Sequence, residues 1–350
     1  MASTIRRART GWAARIPAVI VMLVGVVLIG TTVMNNLFKV GPAFENLTDG
    51  FRPVLTAQAI ETARADVAAL GAAGTEFQSA VAPAMADRLG MTPEAFQAFV
   101  GERFPGVADG MAALPQIVPT FSGLIDTLDA QRGVFASADA IPTSSIPATT
   151  IPWALLIAGI VSLALGFFMW FVPRAGGIVA IALGAALVAV PFALSLPSKA
   201  SDADQMNANL QPVYTPALIT QAGGAVTTVG TMGTEMSDTM LPALADTLGM
   251  TGPELQTFLG DNFPATAAAL QTMPASMERF QGLVRTFDTN LANYDTLKPV
   301  SFAPIIWTVI VAGAVMFVMG VWAFAPGRRP ETVMVEEPEP IRRPVSAGAF

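Results

Sequence analysis

The chain has 350 residues, 53% of them hydrophobic and only 13% charged, with a formal net charge of −7. Soluble domains carry about 25% charged residues, so an ordinary water-soluble globule is excluded and an integral membrane protein is expected. Cysteine and histidine are both absent, which excludes disulfides, thiol nucleophiles, cysteine-held haem or iron–sulfur centres and Cys/His zinc sites, and removes the commonest general acid–base side chain.

In chain order, Met1–Arg15 is basic, with Arg6, Arg7, Arg9 and Arg15 and no acid. A charge-free run, 16–34, follows and is long enough to cross about 30 Å of hydrocarbon. A basic start before an apolar run also suits a secretory or twin-arginine signal, but no A-x-A-like cleavage site follows, so an uncleaved span is expected. Three more charge-free runs are expected to span: 151–171, 178–196 and 304–324. Trp12, Trp153, Trp170, Trp307 and Trp322 all lie near span ends, where amphipathic indoles sit at headgroup depth. Trp153 to Trp170 measures about 25 Å of helix.

Segments 35–150 and 197–303 separate the spans, and they resemble each other. Thr75–Asp129 and Thr234–Asp288 align without a gap at a shift of 159 residues, with 22 of 55 positions identical. Among these are Leu89-Gly90-Met91-Thr92 with Leu248-Gly249-Met250-Thr251, Phe104-Pro105 with Phe263-Pro264, and Phe121 with Phe280. Such self-similarity reads as an internal duplication. The spans follow it: Trp153/Gly159/Gly166 matches Trp307/Gly313/Gly320 in register. Glycines seven apart share nearly one helix face, and Gly159, Gly166, Gly313 and Gly320 are read as helix-packing positions rather than as a gate.

Both intervening segments read as helical. Thr92-Pro93-Glu94 opens a helix with a cap, a proline and an acid in the first turn, and Thr251 with Glu254 forms a capping-box pattern. Phe96, Phe99, Val100 and Phe104 recur at helical spacing, as do Leu255, Phe258, Leu259 and Phe263. Pro105 and Pro264 should then break those helices. No alternating strand pattern occurs. The expected fold is an all-α integral membrane protein: four transmembrane helices with two homologous extracytoplasmic helical domains. The divisions are 1–15 basic N-terminus, 16–34, 35–150 first outer domain, 151–171, 172–177 cytoplasmic turn, 178–196, 197–303 second outer domain, 304–324, and 325–350. The last of these is Pro- and Glu-rich and expected to be disordered.

Charge sets the expected orientation. Nine Arg lie at the N-terminus, at Arg174 and in the tail, whereas each outer segment carries net −6. The positive-inside rule then places both termini in the cytoplasm of a plasma membrane. Sixteen Arg against three Lys, with abundant Ala, points to a bacterium rich in G and C.

Chemistry is sparse. The acids common to both segments are Glu76/Glu235, Asp87/Asp246 and Asp129/Asp288. They have no basic or nucleophilic partner at a telling spacing, so capping or ion pairing is expected rather than acid–base catalysis. No P-loop, GxGxxG helix opening, G-x-S-x-G elbow or EF-hand loop is present. No cofactor, metal site or nucleic-acid partner is expected. The spans carry no charged group to mark an ion path. Methionines 232, 236, 240, 250, 273 and 277 form either core or an adaptable lipid- or partner-binding surface. The expected function is a non-enzymatic scaffold of the bacterial cell envelope, with membrane lipid and other envelope proteins as partners. The alternative is a lipid-handling or transport accessory protein with an apolar cavity between the repeats.

Overall fold

The computed structural model describes residues 15–141 and 146–324. Trp12, Arg6, Arg7, Arg9 and the Pro/Glu-rich tail lie outside the described residues. The described residues form α-helices with no strand. Four are long and apolar enough to cross a membrane: α1 (Ile16–Met34), α7 (Thr150–Phe171), α8 (Pro173–Ala193) and α14 (Phe302–Phe324). Between α1 and α7 lie α2 (Leu37–Phe51), α3 (Ala57–Glu76), α4 (Ala82–Arg88), α5 (Pro93–Arg103) and α6 (Pro105–Asp139). Between α8 and α14 lie α9 (Leu196–Leu210), α10 (Pro216–Glu235), α11 (Leu241–Leu248), α12 (Gly252–Asn262) and α13 (Pro264–Leu297).

Among the described residues, every exposed large apolar side chain lies on the four long apolar helices, except Phe38, Met91, Ile146 and Val172. Monomeric soluble proteins rarely expose so large an apolar surface, and this one fits a membrane-embedded protein. The third long helix starts and ends earlier than the apolar run 178–196 suggests. Pro173 sits at its first turn with φ already preset, and the only described residue between α7 and α8 is Val172. The helix stops before Ser195, whose φ of 53° is left-handed. Asn36 has φ 52° at the matching place after α1.

Those two breaks set the angle at which each long apolar helix hands the chain to the polar bundle. Asparagine tolerates this conformation because its side chain bonds locally; serine tolerates it less well, and a β-branched residue least. Ser195→Asn is therefore expected to stabilise by about 0.5 kcal/mol and Asn36→Val to destabilise by about 1–2 kcal/mol. Melting in mild detergent tests both. Unchanged midpoints for the pair would mean the left-handed turns are not needed.

Helix ends in the bundle follow side-chain chemistry. The Thr56, Thr92, Thr215 and Thr251 hydroxyls accept from the backbone N–H groups of Ala59, Ala95, Leu218 and Glu254. Glu254 completes a capping box by accepting from the Thr251 N–H at 2.8 Å. Phe104 and Phe263 leave helical geometry with near-identical angles (φ −136°, ψ 62° and φ −139°, ψ 63°), and new helices start at Pro105 and Pro264. Earlier, single π turns occupy Phe77–Val81 and Met236–Met240. Each lies just before a proline, Pro83 or Pro242, whose ring would strike the carbonyl four residues back in a regular helix. The wider turn relieves that clash.

The two intervening segments pack as one interleaved bundle. α3 packs on α13 and α10 on α6; α2 packs on α13 and α9 on α6. The apolar core farthest along the chain from the long apolar helices joins Phe77, Phe96 and Val107 to Met240, Leu255 and Phe263. The middle core joins Val67, Leu114 and Phe121 to Val229, Met232 and Phe280, with the Phe121 and Phe280 rings edge to face at 5.3 Å. A third core spans the long apolar helices and the base of the bundle.

Candidate functional site

Each candidate packing glycine has a partner on a neighbouring long apolar helix. A Cβ at Gly159 would lie 3.0 Å from the Gly25 carbonyl oxygen and 2.6 Å from Ile29; one at Gly166 would lie 2.8 Å from the Ala18 oxygen. On the other pair, a Cβ at Gly313 would lie 2.9 Å from the Gly184 oxygen, and one at Gly320 2.7 Å from the Gly177 oxygen. The backbones of α1 and α7, and of α8 and α14, approach at these points. Gly25 is a partner that spacing within a single helix did not reveal, whereas Gly177 and Gly184 repeat the seven-residue spacing within α8. Gly25 and Gly184 lie 159 residues apart, which was the available signal.

The described tryptophans sit at the helix ends. Trp153 is 58% exposed and packs edge-on against Phe38. Trp307 meets Phe192 in the same way. At the opposite end Trp170 lies under the Arg15 guanidinium at 4.6 Å, and Trp322 is exposed.

Of the acids shared by the two segments, one pair forms a reciprocal clasp. The Glu76 carboxylate accepts from the Thr266 N–H at 2.6 Å and the Ala265 N–H at 3.4 Å, at the start of α13. The Glu235 carboxylate accepts from the Val107 N–H at 2.7 Å, at the start of α6. Each segment thus caps the long helix of the other, where unpaired N–H groups and the helix dipole favour an anion. Burial pushes the Glu76 carboxyl up, but the hydrogen bonds from Thr266 and Ala265 outweigh it and hold its pKa below the usual value. Asp129 accepts from Arg132 at 3.0 Å and Arg64 at 3.2 Å. Asp87, Asp246 and Asp288 are exposed.

Two further ties were not visible in sequence. Asp66 on α3 receives a bidentate pair from Arg279 on α13, both bonds at 2.7 Å, and the Ser276 hydroxyl at 2.8 Å. Asp204 caps the start of α14, accepting from the Phe302 and Ala303 N–H groups at 2.7 and 2.9 Å. Tyr214 and Tyr294 meet edge to face at 4.5 Å and donate to the Phe287 and Asn207 carbonyls. Burial pushes the Tyr294 hydroxyl up to about 12.

The methionines divide. Met232, Met236, Met240 and Met277 are buried in the cores between the segments, and Met250 and Met273 are half-buried. They fill irregular space there rather than forming an exposed binding surface.

Two concavities stand out. A broad open groove runs along α10 and α13, lined by Thr227, Thr231, Ser237, Asp238, Met273 and Gln281 among others. The Thr227 and Ser237 hydroxyls donate to carbonyls one turn back in their own helix, those of Gly223 and Gly233. The second is a small apolar pocket where the long apolar helices enter the bundle. Leu37, Gly41 and Ile151 line it from one half of the chain, and Leu196, Ala200 and Ile305 from the other.

Compared with known protein families, curated proteins and solved structures, the chain matches none.

Proposed function

We propose that this chain is a non-enzymatic scaffold of a bacterial cell envelope. It arose by internal duplication and is anchored by four transmembrane helices, with both termini cytoplasmic and the interleaved bundle outside. The observation that carries this reading is the reciprocal clasp. The Glu76/Glu235 acids shared by the two segments cap each other's long helices, so these carboxylates serve to lock two segments into one stiff body. The four long apolar helices hold packing glycines at their closest approaches. A rigid, acidic body on an apolar anchor suits contact with other envelope proteins. A mild-detergent pull-down analysed for proteins and lipids tests it. Recovery of a defined envelope protein, lost when the bundle surface is altered, is the expected result; a bundle that can be deleted without loss of phenotype would end the scaffold reading.

The orientation has its own test. The chain lacks cysteine, so single cysteines are clean reporters. An impermeant thiol reagent applied to intact cells is expected to label Met91→Cys, at an exposed turn of the bundle, and to leave Ala175→Cys beside Arg174 unlabelled. The reverse pattern would invert the topology.

A further inference from the structure

The small apolar pocket at the junction of long apolar helices and bundle is not used by the scaffold reading. It draws on matching positions of the two halves: Leu37 and Leu196, Gly41 and Ala200, Ile151 and Ile305. Among the described residues its lining side chains are all apolar, and it is open on part of its wall. We propose that this pocket binds an acyl chain of a membrane lipid.

Three observations select that occupant. A polar or charged ligand would leave water for a wall that offers no side-chain hydrogen bond, at a cost of several kcal/mol, whereas an apolar cavity is filled favourably by hydrocarbon. The pocket also lies at the ends of the long apolar helices, beside the apolar surface they expose. Its lining residues Leu37, Pro152 and Ile306 are chain neighbours of the exposed Phe38, Trp153 and Trp307, so the wall is continuous with the surface that the bilayer would cover. Lastly, a small residue leaves the space open. Ala200 lines it where a larger side chain would fill it, whereas Gly41 lets the backbone of Ala148 and Thr149 approach. The proposal needs the long apolar helices to be in a bilayer and does not depend on any protein partner.

The test uses the full chain in vesicles of phosphatidylethanolamine and phosphatidylglycerol, with a small fraction of the same lipids bearing a photoreactive diazirine on one acyl chain. After illumination, labelled peptides are mapped. Labelling is expected at the pocket residues Ile151 and Ile305 as well as at the outward-facing Ile157 and Val311, each of which is 57% exposed. Ala200→Phe should cut pocket labelling by about tenfold, the factor expected when roughly two methylenes lose their burial, and leave Ile157 and Val311 unchanged. Ala148→Leu, filling the pocket from another wall, serves if Ala200→Phe does not fold. Wild-type labelling confined to Ile157 and Val311 would overturn the proposal. So would pocket labelling that neither filling substitution reduces, since the lipid would then be reaching those residues by another route.

Discussion

Gly184→Leu is expected to separate α8 from α14 and to be among the most damaging single changes in the protein. A Cβ at Gly184 would sit 2.5 Å from the Phe317 nitrogen and 2.6 Å from the Gly313 oxygen. Both are main-chain atoms of a helix, so neither can swing aside as a flexible side chain would. Overpacking in a well-packed core costs about 1–3 kcal/mol, and a clash between two backbones belongs at or beyond the upper end of that range. Gly30→Leu is the control, because nothing lies within 4 Å of a Cβ there. Melting and yield of the purified variants in mild detergent are the measurements. If Gly184→Leu melts like Gly30→Leu, the close approach is not what holds this pair together.

Removing the clasp should loosen the bundle from both sides. Glu76→Ala and Glu235→Ala each leave the start of the other segment's long helix without its anion, and hydrogen bonds to charged groups are worth about 1.5–3 kcal/mol. Acid should act through Glu76 in the same direction. Its folded-state pKa lies below the ordinary 4.5, so its contribution is fully present above pH 4.5 and is lost as pH falls through the lower folded value. Glu76→Gln keeps an acceptor but removes the charge. Its melting midpoint is therefore expected to be lower at neutral pH and to show a weaker acid dependence between wild-type pH 4.5 and the folded pKa. A Glu76→Gln variant with the wild-type acid profile would assign that dependence to other carboxylates.

The long apolar helices could be read from sequence because lipid contact demands an unbroken apolar run, and the only charge among the four is Arg174 at the start of α8. Their limits could be read less well. Apolarity marks where hydrocarbon contact occurs, whereas the helix is bounded by Pro173 and by the left-handed Ser195. In the bundle, Thr92, Thr251 and the Phe-Pro breaks announced helix ends because capping and proline act locally. The partners of those helices were hidden. The spacing of Phe121 and its neighbours says which face is buried, but not that the face meets Phe280 from the other segment. The same holds for Glu76: its recurrence as Glu235 was visible, while its target, the first turn of a helix about 190 residues later, is a property of the tertiary fold. The apolar pocket belongs to this second class, since its walls come from residues as distant as Leu37 and Ile305.

The interleaving described above carries a consequence for how the chain is made. On the ribosome, α2, α3 and α6 emerge well before α9, α10 and α13, yet they bury much of their apolar faces against those later helices. A half-made chain must therefore wait with Phe121, Val107 and Leu114 uncovered, and long-range pairing of this kind is slow to form and prone to aggregation while it waits. A nascent chain stalled before residue 216 would leave the α6 face that meets α10 exposed, so truncation there is expected to lower yield more than loss of residues 325–350.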